Sequence, residues 1–128
     1  MCIRDSSNNC HVVLCGSGAA GFWSLLAAPA ADAVITDCGQ VDASDDEALL
    51  APDLFCPGIR NIDTFEGALV LAAPHPLLLH NAAAGFPAAH LRSCYKTLRA
   101  EKRLRLESRR LNDEEIVSWV AALRFSTE

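Results

Sequence analysis

His11-Val12-Val13-Leu14-Cys15-Gly16-Ser17-Gly18-Ala19-Ala20-Gly21 is an apolar run that ends in a glycine-rich turn and enters a stretch rich in alanine and leucine. A short apolar run bounded by turn residues reads as a buried parallel strand, here His11–Gly16. Ala19–Ala28 reads as a helix that Pro29 ends, because proline lacks the amide a helix interior needs. The same unit recurs downstream. Ala33–Thr36, set between Asp32 and Asp37, is the second strand. Asp45–Leu50 forms a short helix with Ser44 as its N-cap. Pro52 and Pro57 make Asp53–Arg60 a loop. Thr64–Ala72 is a helix, Pro74 and Pro76 stop it, and Leu77–His80 is the third strand.

Within Pro87–Ala100, the apolar positions Leu91, Cys94, Tyr95 and Leu98 fall on one helical face. Leu104 and Leu106 alternate with Arg103, Arg105 and Glu107, the pattern of a fourth strand near an edge. Asn112 caps a last helix from Asp113 to about Leu123. Asp113, Glu114 and Glu115 suit its positive end, and Ile116, Trp119, Val120 and Leu123 form its buried stripe. Strand and helix thus alternate four times. That order predicts an α/β fold with about four parallel strands, ordered in space as in sequence, and flanking helices. Functional residues of such sheets lie beyond the C-terminal strand ends: Gly16–Gly18, Asp37–Gly39, His80–Ala84 and Ser108–Arg110.

The chain has 128 residues, enough for one domain, and its 51% hydrophobic and 21% charged residues are those of a chain able to bury a core. The formal net charge of −5 argues against nucleic acid as a partner. Charge is unevenly placed: residues 32–66 carry nine acids and one base, whereas residues 92–110 hold eight of the eleven lysines and arginines. The basic stretch is either the wet face of a helix with its following loop or an anion-binding patch. No apolar stretch reaches the roughly 18 residues that span a bilayer, so no membrane partner is expected. The six cysteines, Cys2, Cys10, Cys15, Cys38, Cys56 and Cys94, include no pair with zinc-knuckle or redox spacing. They are expected as buried free thiols, Cys15 among them, and they leave the compartment open. His11, His75, His80 and His90 are too dispersed for a metal site. Neither metal nor cofactor is expected.

Met1 to Ser6, MCIRDS, resemble the translation of a transposon adapter used for sequencing libraries. On that resemblance residues 1–6 are foreign and are set aside from the fold. The native chain then begins near Ser7, with upstream sequence lost.

Gly16-Ser17-Gly18-Ala19-Ala20-Gly21 admits two functions. After a strand and opening a helix, Gly16, Gly18 and Gly21 fit a dinucleotide fingerprint, with Asp37, 21 residues after Gly16, as the ribose-binding acid. The alternative is a nucleophile elbow, G-x-S-x-G. With Gly16 as its first glycine, Gly18 stands where the nucleophile belongs and Ser17 is one residue early. With Ser17 as nucleophile, Cys15 and Ala19 replace both flanking glycines. Neither register is intact.

Residues 57–81 read PGIRNIDTFEGALVLAAPHPLLLHN. With Val12–Leu26, this segment resembles the α/β-hydrolase superfamily, in particular the acetyl xylan esterase and dienelactone hydrolase group. Ala72 to His80 is its most specific stretch, and the likeness covers about residues 11–123. A nicotinamide-binding domain has no reason for this block of loop, helix and paired prolines. The resemblance implies that residues 7–128 are the C-terminal half of a hydrolase domain whose parent family cleaves carboxylic esters, some on carbohydrates.

In that family the strand leads into H-G-x-x-D. Matching His80 to the histidine puts Asn81 at the glycine and Ala84 at the acid, which is therefore absent. The catalytic histidine should follow about Leu106, but the last histidine of the chain is His90. A degenerate elbow at Gly16, Ser17, Gly18 and Gly21 and a vacant acid at Ala84 imply a catalytically inactive segment. The leftover candidates are Ser17 as a displaced nucleophile and His80 as a base oriented by Asp37. The implied partners are the upstream half of the same protein and a carbohydrate ester. Without that half, His11–Cys15 becomes an apolar edge strand prone to self-association. A secreted or periplasmic parent is compatible with the resemblance, which does not assign a compartment.

Overall fold

The opening unit forms β1 (Val13–Ser17) and α1 (Ala19–Leu26) in a computed structural model that describes residues 11–41, 47, 50–52, 57–58 and 64–125. The readings of residues 1–6, of the Ser44-capped helix and of the Asp53–Arg60 loop fall wholly or mostly outside the described residues. α1 is shorter than expected, because Pro29 draws Ala28–Ala30 into a separate 3-10 turn. There follow β2 (Ala33–Asp37), α2 (Thr64–Ala72), β3 (Leu77–His80), α3 (Ala88–Thr97), β4 (Leu104–Leu106) and α4 (Asp113–Ala122). A 3-10 turn, Glu101–Arg103, leads into β4.

The four strands form one parallel sheet in the order β1-β2-β3-β4. Each strand is added on the same side of the last. With crossovers of one hand, such progression puts the connecting helices on one face. Side-chain alternation then divides the core. Leu14, Val34, Leu77, Leu79, Leu104 and Leu106 face Phe22 and Leu25 of α1, Leu69 of α2, and Leu91 and Tyr95 of α3. Val13, Ile35 and Leu78 face Ile116, Trp119 and Val120 of α4, with Leu111. Among the described residues the sheet therefore carries three helices on one side and a single one on the other. Tyr95 is fully buried, and its hydroxyl donates to the carbonyl of His75 at 2.7 Å, which ties α3 to the entrance of β3.

β2 and β3 are buried along their whole lengths, as strands covered on both faces should be. β1 is only half-buried, and it begins at Val13 and runs on to Ser17. Its Cys15 is exposed, not buried as expected, because β1 is the last strand of the described sheet and Cys15 opens into a cleft beside α4. Cys38 is fully buried, and the described cysteines, Cys15, Cys38 and Cys94, are free thiols. Among the described residues no helix is long and apolar enough to cross a membrane.

Candidate functional site

The turn between β1 and α1 is shaped by glycines. A Cβ on Gly16 would lie 2.3 Å from the Ala20 carbonyl oxygen, and one on Gly21 would lie 2.8 Å from Thr36 Cγ2 and 2.9 Å from the Asp37 carbonyl oxygen. Gly16 lets the chain fold back tightly, and Gly21 lets α1 lie against β2. Gly18 stands at the apex with φ 56° and ψ −127°, and a Cβ there would meet nothing within 4 Å. Its N–H donates to the Asp37 carbonyl at 2.9 Å, and its own carbonyl accepts from Gly21 and Phe22. These bonds pin the apex to the end of β2.

The register brings the three sequence candidates into one row: Ser17 pairs with Asp37, and Asp37 with His80. All three line a cleft of about 540 Å³, together with Cys15, Arg110 and Asn112, against an apolar wall that includes Ile116. The order within the row is wrong for a triad. Adjacent strands lie about 4.8 Å apart, so the backbones of Ser17 and His80 are separated by about 10 Å with Asp37 between them. A triad instead needs the histidine between the nucleophile and the acid, each within hydrogen-bond reach.

Asp37 is almost wholly committed. Its Oδ1 accepts from the Gly39 N–H at 2.9 Å and from Asn81 Nδ2 at 2.7 Å, and its Oδ2 lies 3.3 Å from Arg110 Nε. Burial favours the neutral acid, but the bonds from Asn81 and Gly39, with His80 and Arg110 nearby, outweigh it. The carboxyl is held below its ordinary value of 3.8. Burial pushes the neighbouring Cys38 thiol up to about 12, with the Asp37 charge adding to the effect, so Cys38 is no nucleophile.

His80 is 3% exposed, and its Nδ1 accepts from the Leu111 N–H at 3.2 Å. That bond assigns the proton to Nε2. Burial lowers its pKa below 6.5, against the pull of Asp37 and with the help of Arg110. His80 is thus a neutral donor whose basic nitrogen is already taken by the backbone.

Ala84, the position of the absent acid, lines a neighbouring depression of about 550 Å³ with Gln40, Phe86 and Ser108, outside the Ser17 cleft. Gln40 Nε2 donates to Asn81 Oδ1, to the Ala82 carbonyl and, at 3.4 Å, to the Ser108 carbonyl, which ties together the segments after β2, β3 and β4. Sequence reasoning marked those segments as strand ends but missed Gln40, Asn81 and Arg110 as the side chains that organise them. Their only signal was position just past a strand.

The remaining histidines lie elsewhere. His11 stacks on Phe125 at 4.1 Å at the opposite end of the sheet, and His90 sits beside Cys94 on α3. Among the described residues no His, Cys, Asp and Glu side chains gather as a metal site. The strand order shows no reversal among the described strands, whereas dinucleotide folds place their ligand at such a reversal. No family model, no curated protein and no solved structure matches this chain.

Proposed function

We propose that this chain is a non-catalytic segment of α/β-hydrolase type, whose parent family hydrolyses carboxylic esters. The observation that carries the reading is Gly18. It holds the sharp positive-φ apex between strand and helix at which an elbow presents its nucleophile, and it has no side chain. The rest of the site agrees. Asn81, at the family's glycine position, has φ 57°, a conformation that glycine adopts freely and asparagine tolerates. Position 84 offers a methyl group in place of a carboxylate, and the His80 base is spent on Leu111. The dinucleotide alternative gains nothing from the cleft, since both Asp37 oxygens are engaged.

The test is hydrolysis of p-nitrophenyl acetate by the purified chain. The expected rate does not exceed that of a Ser17→Ala variant, because the basic nitrogen of His80 is held by Leu111 and Asp37 stands between His80 and Ser17. Turnover that vanishes in Ser17→Ala and persists in Cys15→Ala would overturn the proposal and make Ser17 a working nucleophile.

A further inference from the structure

β4 closes the sheet on the side away from β1, and its outer edge is bare among the described residues. The Glu107 N–H donates to the Leu79 carbonyl, so Arg105 and Glu107 turn their backbone groups towards β3. By alternation those of Leu104 and Leu106 point outwards. The Leu104 N–H is taken by the Glu101 carbonyl. What remains is a spaced set: the carbonyl of Leu104 and the N–H and carbonyl of Leu106, which one residue of an added strand can bridge. Beside this edge runs a groove of about 460 Å³ between α3 and β4.

The groove is basic. Arg92 and Lys96 stand one turn apart on α3, against the single acid Glu101, whereas Arg105 of β4 alternates with Leu78 to the opposite face of the sheet. Arg105 is occupied by Glu107 at 3.1 Å. Arg92 and Lys96 are in no ion pair among the described residues. Cations along an edge repel strands of like charge and discourage apolar ones. The same charges select one class of strand.

We propose that this groove binds an acidic protein segment in extended conformation, added to β4 as a fifth strand. Main-chain bonds to Leu104 and Leu106 hold it, and carboxylates at every second position reach Arg92 and Lys96. The proposal is independent of the cleft and of the hydrolase reading.

The test is fluorescence anisotropy of the full chain with a labelled octapeptide of alternating glutamate and threonine. Binding should weaken about tenfold or more in the Arg92→Ala, Lys96→Ala double variant, since each charge-assisted contact is stronger than a neutral one. These two side chains are exposed, so circular dichroism should show the variant folded. Binding should also fail for the peptide N-methylated at the alternate residues whose amides face β4, survive N-methylation of the other alternate set, and fail for a lysine-threonine peptide. Equal binding of both alternately N-methylated peptides would show that no strand is added. Equal binding by the double variant, or no binding of the acidic peptide at about 1 mM, where an association is worth only about 4 kcal/mol, would overturn the proposal.

Discussion

Gly16 and Gly21 lack a Cβ because the backbone around them leaves no place for one, whereas Gly18 lacks one in open space. The two situations separate steric from conformational cost. Gly18→Ala should destabilise by about 1–2 kcal/mol, the cost of a side chain at an unfavourable positive φ. Gly16→Ala should cost more, about 3 kcal/mol, because its Cβ would meet backbone rather than a movable side chain. Urea unfolding of the two variants checks the order; a larger loss at Gly18 would contradict the apex geometry.

Asp37 and His80 make separate contributions to pH dependence. His80 has a folded pKa below 6.5, so as pH falls the unfolded chain takes the proton first. Stability should hold above about pH 6.5 and decline as pH falls below it towards the folded pKa. Asp37 is depressed below 3.8, so its contribution is present above that value and is lost as pH falls through the folded pKa. In His80→Gln the amide oxygen can still accept from Leu111, and the upper decline should flatten. Asp37→Asn should flatten only part of the lower one, because Glu115, lowered to about 2 by its bond from Arg109, titrates there too. Unfolding midpoints against pH in the two variants would show whether the windows separate in this way.

Among the described residues α4 alone covers one face of the sheet, so its N-terminus bears on the whole element. Asn112 Oδ1 accepts from the Glu115 N–H at 2.9 Å, and Glu115 Oε2 accepts from the Asn112 N–H at 3.1 Å, a reciprocal capping box. Arg109 pairs with the same Glu115 carboxylate from outside the helix. Asn112→Ala should cost about 1 kcal/mol in thermal unfolding, and Asn112→Asp or Asn112→Ser should recover most of it. A loss unrecovered by Asp and Ser would place the role of Asn112 in the cleft rather than in the cap. The cap was legible because its determinants are local: an Asn followed three residues later by Glu before an apolar stripe. α2 and β3 were legible at both ends for a similar reason, since Pro74 and Pro76 separate them. α1 was overread, since its alanines gave no signal for the 3-10 turn that Pro29 draws from Ala28–Ala30.

At the scale of the molecule, the described sheet has one edge guarded by charge and one that is not. β4 carries Arg105 with Arg92 and Lys96 nearby, whereas β1 presents Val13 and Leu14, both half-buried, beside a 38% exposed Trp23. An apolar edge is a template for further pairing. We expect the chain to self-associate through β1 in a concentration-dependent way, and Val13→Lys to return it towards monomer. Sedimentation velocity of the two forms decides this. A wild-type chain that stays monomeric over the full concentration range would mean that β1 is already covered.

Local pattern in the sequence determined the number of strands, their parallel alternation with helices, the last cap, and the strand ends at which a site must lie. Those features depend on residues close together in the chain. Tertiary structure alone decided what the site residues do. Ser17, Asp37 and His80 were each visible as strand-end candidates, but strand register, which pairs residues 20 and 43 positions apart, sets Asp37 between the other two. No local pattern announces that Leu111 takes the basic nitrogen of His80, or that Asn81 and Arg110 converge on Asp37. The exposure of Cys15 is likewise a property of the sheet: an apolar run looks the same at a centre as at an edge, and only the strands beside it determine which it is.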